Sequence, residues 1–570
     1  MGFFLTIVTL VLALAITWRY LGSYMAGVFD GRVHFLGWAE RPVYRLLGTG
    51  PDHEQTWKRY AGAMIIFSAV SMAVTYLIIR IQGSLPLNPQ HMGAVKPALS
   101  LNTAASFTTN TNWQNYGGES TMSYFSQIGA LTMQQWVSPA VGIAVAIAMV
   151  RGFQRRNSPT IGNFWVDITR CIVYILLPMA FIAGLIFVGQ GAVQTLGGPV
   201  SISDSLNGVT QTIARGPIGF MEAIKQLGTN GGGFLDQNSA TSFENPTGLT
   251  NWLSIYLLLA IPIALTYTFG KMVGSVRHGA ALLGAMVIIF GVWVGFTSYG
   301  EHTNNPAVVA AGQMTNTPSL VHSSTGNTEG KQVQFGDTST ALFGVASTNT
   351  STGSADASYD SFTPIGGMGL LTGMMLGEVT PGGTGSGLYT ILIYAILAVF
   401  IGGLMIGRTP EYLGKKIQAK EVKLAGLGSL VMPMIVLIIT GIAVSIHAGM
   451  VGPENSGPHG FTEILYGLTS QGNNNGSAFG GLTGNSAFYN IVGAIDMLIG
   501  RFAIMIPALA LGGVLAAKNV VPAGLGTFRT DNGMFVGLTI GVILIIGGLT
   551  FFPAVSLGPI VEQLSHGKFF

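Results

Sequence analysis

Four short stretches of this chain combine glycine with asparagine, threonine and serine: "TNTNWQ" from residue 109, "LGTNGGGF" from 227, "STNTSTGS" from 347 and "GNNNGSAF" from 472. The chemistry open to them is coordination by backbone oxygen. Glycine admits the φ values that aim successive carbonyls the same way, and Asn and Thr hold a strained turn by bonding to neighbouring backbone. A ring of such carbonyls replaces the hydration shell of a bare cation, as potassium filters do. Aligning the turns places Gln114, Gly232, Gly353 and Gly476 at matching positions, with spacings of 118, 121 and 123 residues. One such turn reads equally well as a flexible surface loop. Four in register do not.

Two charges stand apart. Arg501 lies about 15 residues, or ~22 Å, into an apolar run over roughly 486–515. An arginine that deep costs several kcal/mol unless it meets water or a partner. It is expected under the turns, repelling cations from a direct route inward. The competing reading is a buried pair with Asp496, but five residues turn a helix by about 500°, onto another face. Glu378 sits in "MGLLTGMMLGEVTPGGTGSG", a segment whose Gly and Pro break a helix as they do beside transport pathways. It either receives a dehydrated ion or caps a half-helix.

Other chemistry is absent. "GGTGSGLYT" lacks the lysine of a phosphate-binding loop, and no Asp-Lys-Thr-Gly stretch occurs. No nucleotide site is therefore expected on this chain, and no organic cofactor. Cys171 is the one cysteine, so there is no disulfide framework. The nine histidines show no metal-ligand spacing, and the loops holding His91, His322 and His459 read as solvated. Arg408, Lys415, Lys416, Lys420 and Lys423 form a basic patch that reads mainly as a topology signal, with partner or anionic-lipid docking as the alternative. A net charge of +3 gives no support for nucleic acid.

The elements that position the turns are membrane helices. Of 570 residues, 49% are hydrophobic and only 9% charged, too few to cover a water-exposed surface. Ten spans are expected, near 3–25, 60–82, 127–152, 168–190, 250–273, 279–298, 384–407, 424–448, 486–515 and 533–556. The opening "MGFFLTIVTLVLALAITW" reads as a retained span, since it lacks a basic start and a clear cleavage site. Loops on one side carry 19 Lys/Arg against 8 Asp/Glu, and those on the other 5 against 13. The basic side is expected to be cytoplasmic, which puts both termini outside. Each turn is preceded by a short helical run and followed by a span. Irregular backbone at membrane depth survives only where protein or a water-filled cavity surrounds it. The fold class is therefore all-α and polytopic, with four span–pore helix–span units around a pseudo-fourfold pore and two flanking helices. The expected division is 1–59 for the first helix and loop, 60–165, 166–278, 279–420 and 421–520 for the four repeats, and 521–570 for the last helix.

With these turns and "GRFAIMIPALALGG" after the last, the whole chain resembles the potassium-transporting A subunit family of the bacterial Kdp P-type ATPase. It is similar, more distantly, to the Trk/Ktr/HKT transporters. Gln114 in place of glycine is an asymmetry the Kdp family shares. The resemblance implies that potassium is bound by Asn110, Thr111, Asn112, Trp113 and Gln114; Thr229, Asn230, Gly231 and Gly232; Ser351, Thr352 and Gly353; and Asn473, Asn474, Asn475 and Gly476. The third turn admits a shift of one or two residues. Gating or pathway roles for Glu378 and Arg501 are implied too. So are a separate ATP-hydrolysing B subunit, a C subunit, a small one-span F peptide, surrounding membrane lipid, an inner-membrane location and sideways passage of the ion toward the catalytic subunit. The alternative is a stand-alone Trk-like uniporter or symporter gated by a nucleotide-binding partner. An intramembrane hydrolase using Glu378 would need a paired nucleophile or metal motif, and none is found.

Overall fold

The computed structural model describes residues 2–203, 208, 210–305, 326–377, 379–522 and 528–565. Glu378 and His322 lie outside them. Among the described residues, ten helices are long and apolar enough to cross a membrane. We label the main helices α1 (Phe3–Phe29), α2 (Trp57–Ile81), α3 (Pro97–Thr108), α4 (Tyr124–Gln154), α5 (Phe164–Gly189), α6 (Ile218–Leu227), α7 (Gly248–Met272) and α8 (Val276–Glu301). Then follow α9 (Gly336–Thr348), α10 (Pro364–Met375), α11 (Ser386–Met405), α12 (Ala419–Ser445), α13 (Gly457–Gly472), α14 (Ala487–Ala516) and α15 (Gly533–Ser565). Strand content among the described residues is confined to two small hairpins, Val200–Ser203 with Thr210–Ile213 and Glu411–Tyr412 with Lys415–Lys416.

Four helices, α3, α6, α9 and α13, have 12, 10, 13 and 16 residues. At 1.5 Å per residue they are ~15–24 Å long, short of a ~30 Å hydrocarbon core. Each is therefore a half-helix, and each lies between two spans. Proline helps to start three of them, where its missing N–H costs nothing: Pro97 and Pro458 within the first turn, and Pro217 at the N-cap. The repeat is α2–α3–α4, then α5–α6–α7, α8–α9–α11 and α12–α13–α14.

Burial shows which span of each repeat faces inward. The apolar stretches of α4, α7, α11 and α14 are 89%, 89%, 78% and 61% buried, against 22%, 44%, 33% and 50% for their partners at α2 (counted to Ser84), α5, α8 and α12. The second span of every unit thus lines the centre. A span apolar on all faces, with no polar stripe, suits that place.

The third unit departs from the pattern. Its second span is split into α10 and α11 by residues 376–385, with a cis bond at Thr380–Pro381 and left-handed glycines at 377, 382 and 385. Gly and Pro density in the sequence marks this break.

Two sequence expectations are corrected here. Lys415 is not part of an open basic patch: it is fully buried, and its ammonium donates to the carbonyls of Gly152 and Leu515 at 2.7 and 2.5 Å. It satisfies carbonyls left free at the ends of α4 and α14. His459 is not solvated either. It is 7% exposed, with Nε2 2.9 Å from Asp360 and Nδ1 2.7 Å from Glu562. These partners lie about a hundred residues away in sequence, so no local spacing announces them.

Candidate functional site

The half-helices end where a residue turns left-handed. Asn110 (φ 67°), Thr229 (φ 49°), Ser351 (φ 52°) and Asn474 (φ 58°) do this in the four turns. A second reversal follows two residues on at Asn112 (φ 57°), Gly231 (φ 94°) and Gly476 (φ 94°). For a non-glycine residue such a conformation is uncommon, with Asn the most tolerant. The backbone therefore sets a column of Asn112, Gly231, Gly353 and Gly476. This corrects the letter-based alignment, in which Gln114 and Gly232 stood two and one residues too far along. Matching glycines by eye misses that asparagine takes the glycine role in the first turn. Gln114 instead staples two turns together: its oxygen accepts from the Gly233 N–H (3.0 Å) and its amide donates to the Gly233 carbonyl (3.1 Å).

The turns touch in cyclic order. The Asn110 amide donates to the Thr229 carbonyl (3.0 Å), and the Gly353 N–H to the Asn230 carbonyl (3.2 Å). Asn475 donates to the Thr348 carbonyl (2.8 Å), and Asn474 to the Thr111 hydroxyl (3.0 Å), closing the ring. Backbones approach so closely that side chains have no room. A Cβ on Gly231 would lie 2.0 Å from the Gly353 nitrogen, one on Gly353 2.8 Å from the Gly476 carbonyl carbon, and one on Gly476 1.8 Å from the Thr111 oxygen. Gly232 is nearly as tight, with Asn112 Cβ 2.9 Å from its ideal Cβ.

Side chains within the turns brace rather than point outward. Thr109 and Thr111 hydroxyls pair at 2.7 Å, and Thr350 and Thr352 at 2.9 Å. The Asn110 and Asn230 side chains meet at 2.6 Å, and Asn473 caps α13 by donating to the Thr469 carbonyl (3.0 Å). Trp113 is 3% exposed, with its indole N–H on Asn115 (2.5 Å) and its ring beside Gly467 of α13. The indole serves as scaffold, leaving only the Trp113 backbone near the ring of turns. Residues missed by sequence reasoning hold the turns from behind: Gln135 donates to the Gly232 carbonyl (2.7 Å) and Asn238 to that of Gly231 (2.6 Å).

The ring separates two spaces. On one side lies a cavity of ≈ 400 Å³ lined by Asn112, Gln114, Gly231, Gly353 and Gly476. On the other is a narrow space of ≈ 40 Å³ bounded by Gly472, Asn473, Asn474, Gly500, Arg501 and Tyr389. All four half-helices point their C-terminal, electronegative ends at this centre, which favours a cation there.

Arg501 therefore lies at the narrow space. It is 4% exposed, and its Nη2 has no hydrogen-bond partner among the described residues. Asp496 does not pair with it: no ion pair joins them among the described residues, and the Asp496 carboxylate sits against Gly472 instead. The broken segment of the third repeat also reaches the ring from the side of the narrow space, which Gly377 and Ser386 help to line. The Gly382 N–H donates to the Asn349 carbonyl (2.8 Å), Thr380 bonds the Asn349 side chain, and the Thr384 N–H donates to the Thr229 hydroxyl (2.9 Å). Both neighbours of Glu378 belong to this segment, and Glu378 itself falls outside the described residues.

Four half-helix turns closed into a ring between two cavities define a membrane cation-transport protein of the four-repeat pore class. A solved potassium transporter, TrkH from Vibrio parahaemolyticus, has a similar fold: TM-score 0.51 over 86% of this chain and 96% of that one, at 13% identity. Within that class the chain belongs to the potassium-transporting ATPase A subunit family, whose model matches residues 7–564. It is 52% identical over 556 residues to the potassium-transporting ATPase potassium-binding subunit of Mesorhizobium japonicum, covering 96% of both chains. The protein of the same description from Methylobacterium nodulans is 52% identical over 549 residues, covering 96% of this chain and 94% of that one.

Proposed function

We propose that this chain is the K+-binding and K+-translocating subunit of an ATP-driven potassium uptake complex. Outer K+ enters the larger cavity, loses its water in the ring, and leaves past Arg501 toward a separate P-type ATPase subunit. The observation that carries this reading is the closed ring of Asn112, Gly231, Gly353 and Gly476 at the floor of the outer cavity. Backbone oxygens of Asn110–Asn112, Thr229–Gly232, Ser351–Gly353 and Asn473–Gly476 are the ligands in this reading, with K+ as cargo. The Trp113 side chain and the Gln114 amide act as braces. Arg501 raises the electrostatic cost of a direct path through the inner space. The break at 376–385, with Glu378 in it, is the gate because it bonds two turns at once.

The positive-inside asymmetry supports placing the loops around 19–59, 151–170 and 408–423 in the cytoplasm, with both termini outside, in the bacterial inner membrane. ATP chemistry belongs to the B subunit in this proposal, and the C subunit and F peptide complete the complex. In this reading the repeats run over 60–165, 166–278, 279–420 and 421–520, each beginning within the first few residues of the span that opens it, α2, α5, α8 and α12. Co-purification from membranes with an ATPase chain, and ATP hydrolysis by that complex stimulated by micromolar-to-millimolar K+, are the expected results. A chain that purifies alone and carries K+ without ATP would favour a stand-alone Trk-like transporter.

A further inference from the structure

One position in the half-helices breaks the fourfold pattern. Ser106, Lys225, Ser347 and Ser470 are equivalent, because each offers its carbonyl to N–H groups of the turn that follows. In three repeats the serine hydroxyl also bonds the turn directly. Ser106 donates to the Trp113 carbonyl (2.9 Å), Ser347 donates to that of Thr352 (2.7 Å), and Ser470 accepts from the Gly476 N–H (3.0 Å). In the second repeat the brace is ionic. Lys225 is fully buried, 2.6 Å from Glu222 and bonded to Glu244, both at most 1% exposed.

This cluster grips two turns. Glu244 accepts the Leu235 N–H (2.9 Å) at the exit of the second turn. Glu222 accepts from Gln226 (2.8 Å) and Ser239 (2.8 Å), and both of those bond Ser354 of the third turn, at 2.8 and 3.0 Å. Meanwhile the Lys225 carbonyl receives the Asn230 and Gly231 N–H groups (2.9 and 3.3 Å). Burying three charges is costly unless each is paired, so the arrangement is rigid: no member can move without leaving another unpaired. Charge-assisted bonds also fix geometry more tightly than a hydroxyl does.

We propose that Lys225, clamped by Glu222 and Glu244, is a positioning residue that sets the spacing of the second and third turns and with it the discrimination between K+ and larger monovalent cations such as Rb+ and NH4+. This rests on reading the turns as the K+ filter. None of the three side chains is placed on the ion. Their effect runs through Gly231, Gly232 and Gly353.

The test uses the full complex with K+, Rb+ and NH4+ as probes. Lys225→Met and Glu244→Gln are compared with Lys225→Arg and with Gly476→Ala, which perturbs the filter itself. Expected are a fall of about tenfold in the preference for K+ over Rb+ for Lys225→Met and Glu244→Gln, and substantial rescue by Lys225→Arg. Should Lys225→Met fail to assemble, the isosteric Glu244→Gln decides the matter. An unchanged ion preference in Glu244→Gln or an assembled Lys225→Met, with Gly476→Ala altered, overturns this proposal and spares the filter. An unchanged Gly476→Ala as well would overturn the filter reading itself.

Discussion

Replacing Gly476 by alanine puts the ring geometry under direct strain. The added Cβ would sit 1.8 Å from the Thr111 carbonyl oxygen, where real Cβ contacts are at least 3.0 Å. One of the two turns must then move by at least about 1.2 Å, and the obstacle is backbone, which cannot swing aside as a flexible side chain can. Alanine at a φ of 94° adds conformational strain, of roughly 1–3 kcal/mol. If the ion-bound ring is what that strain opposes, affinity falls by about 5- to 150-fold, since ~1.4 kcal/mol is tenfold. The assay is the K+ half-saturation of ATP hydrolysis by the purified complex, checked by Rb+ uptake into vesicles. Gly541→Ala, where the new methyl meets nothing within 4 Å, serves as the control. A rise of at least about fivefold for Gly476→Ala and none for the control is expected. An assembled Gly476→Ala complex with the original half-saturation would refute the steric reasoning.

Other perturbations reach different parts of the molecule. Gln114→Arg removes both bonds to Gly233 and places a cation at the outer mouth; K+ affinity should weaken, read by competition with Rb+ and NH4+, and unaltered competition would contradict the brace. Arg501→Met removes a charge; two unit charges about 10 Å apart at an effective dielectric of ~20 interact by roughly 1.7 kcal/mol, which is more than tenfold in local cation occupancy. The expected outcome is K+ leak not coupled to ATP, and a tight, fully coupled variant would reduce Arg501 to packing. His459 titrates far from its usual range. Burial pulls it down, but hydrogen bonds to Asp360 and Glu562 and their charges outweigh that and raise it to about 10. A raised histidine contributes stability fully below its unfolded value near 6.5 and loses it as pH rises through about 10. His459→Gln should therefore lower the melting temperature at pH 7, with the gap to the parent closing at higher pH; a gap constant up to about pH 11 would contradict the pairing.

Much of the architecture was legible because membrane physics restricts the options. Uniform apolarity over 20 or more residues has few outcomes besides a span, and all ten expected spans are helices, with ends shifted by up to five residues except in α15, which continues nine residues further, to Ser565. The polar turns were visible for the same reason, since flexible surface loops do not explain four Gly/Asn-rich runs in register in so apolar a chain. The column of matched residues was less legible. Asn112 adopts a left-handed conformation that letter matching assigns to glycine, so the first two turns were aligned one or two residues late. Partners across long sequence gaps were invisible altogether: His459 with Glu562, Lys415 with Leu515, and Gln135 with Gly232. Lys225 did offer a usable hint, since it and Glu222 stand three residues apart inside a short, otherwise uncharged half-helix. Glu244, the second acid on that lysine, comes from beyond the turn, and no spacing rule points to it.

Diffraction from crystals of the complex soaked in Rb+ or Tl+ addresses the ring of turns itself. An anomalous peak enclosed by the backbone oxygens of all four turns, between the cavity at Gln114 and the space at Arg501, is the predicted result. Heavy-ion signal found only elsewhere, with those turns closed and unloaded, would contradict it.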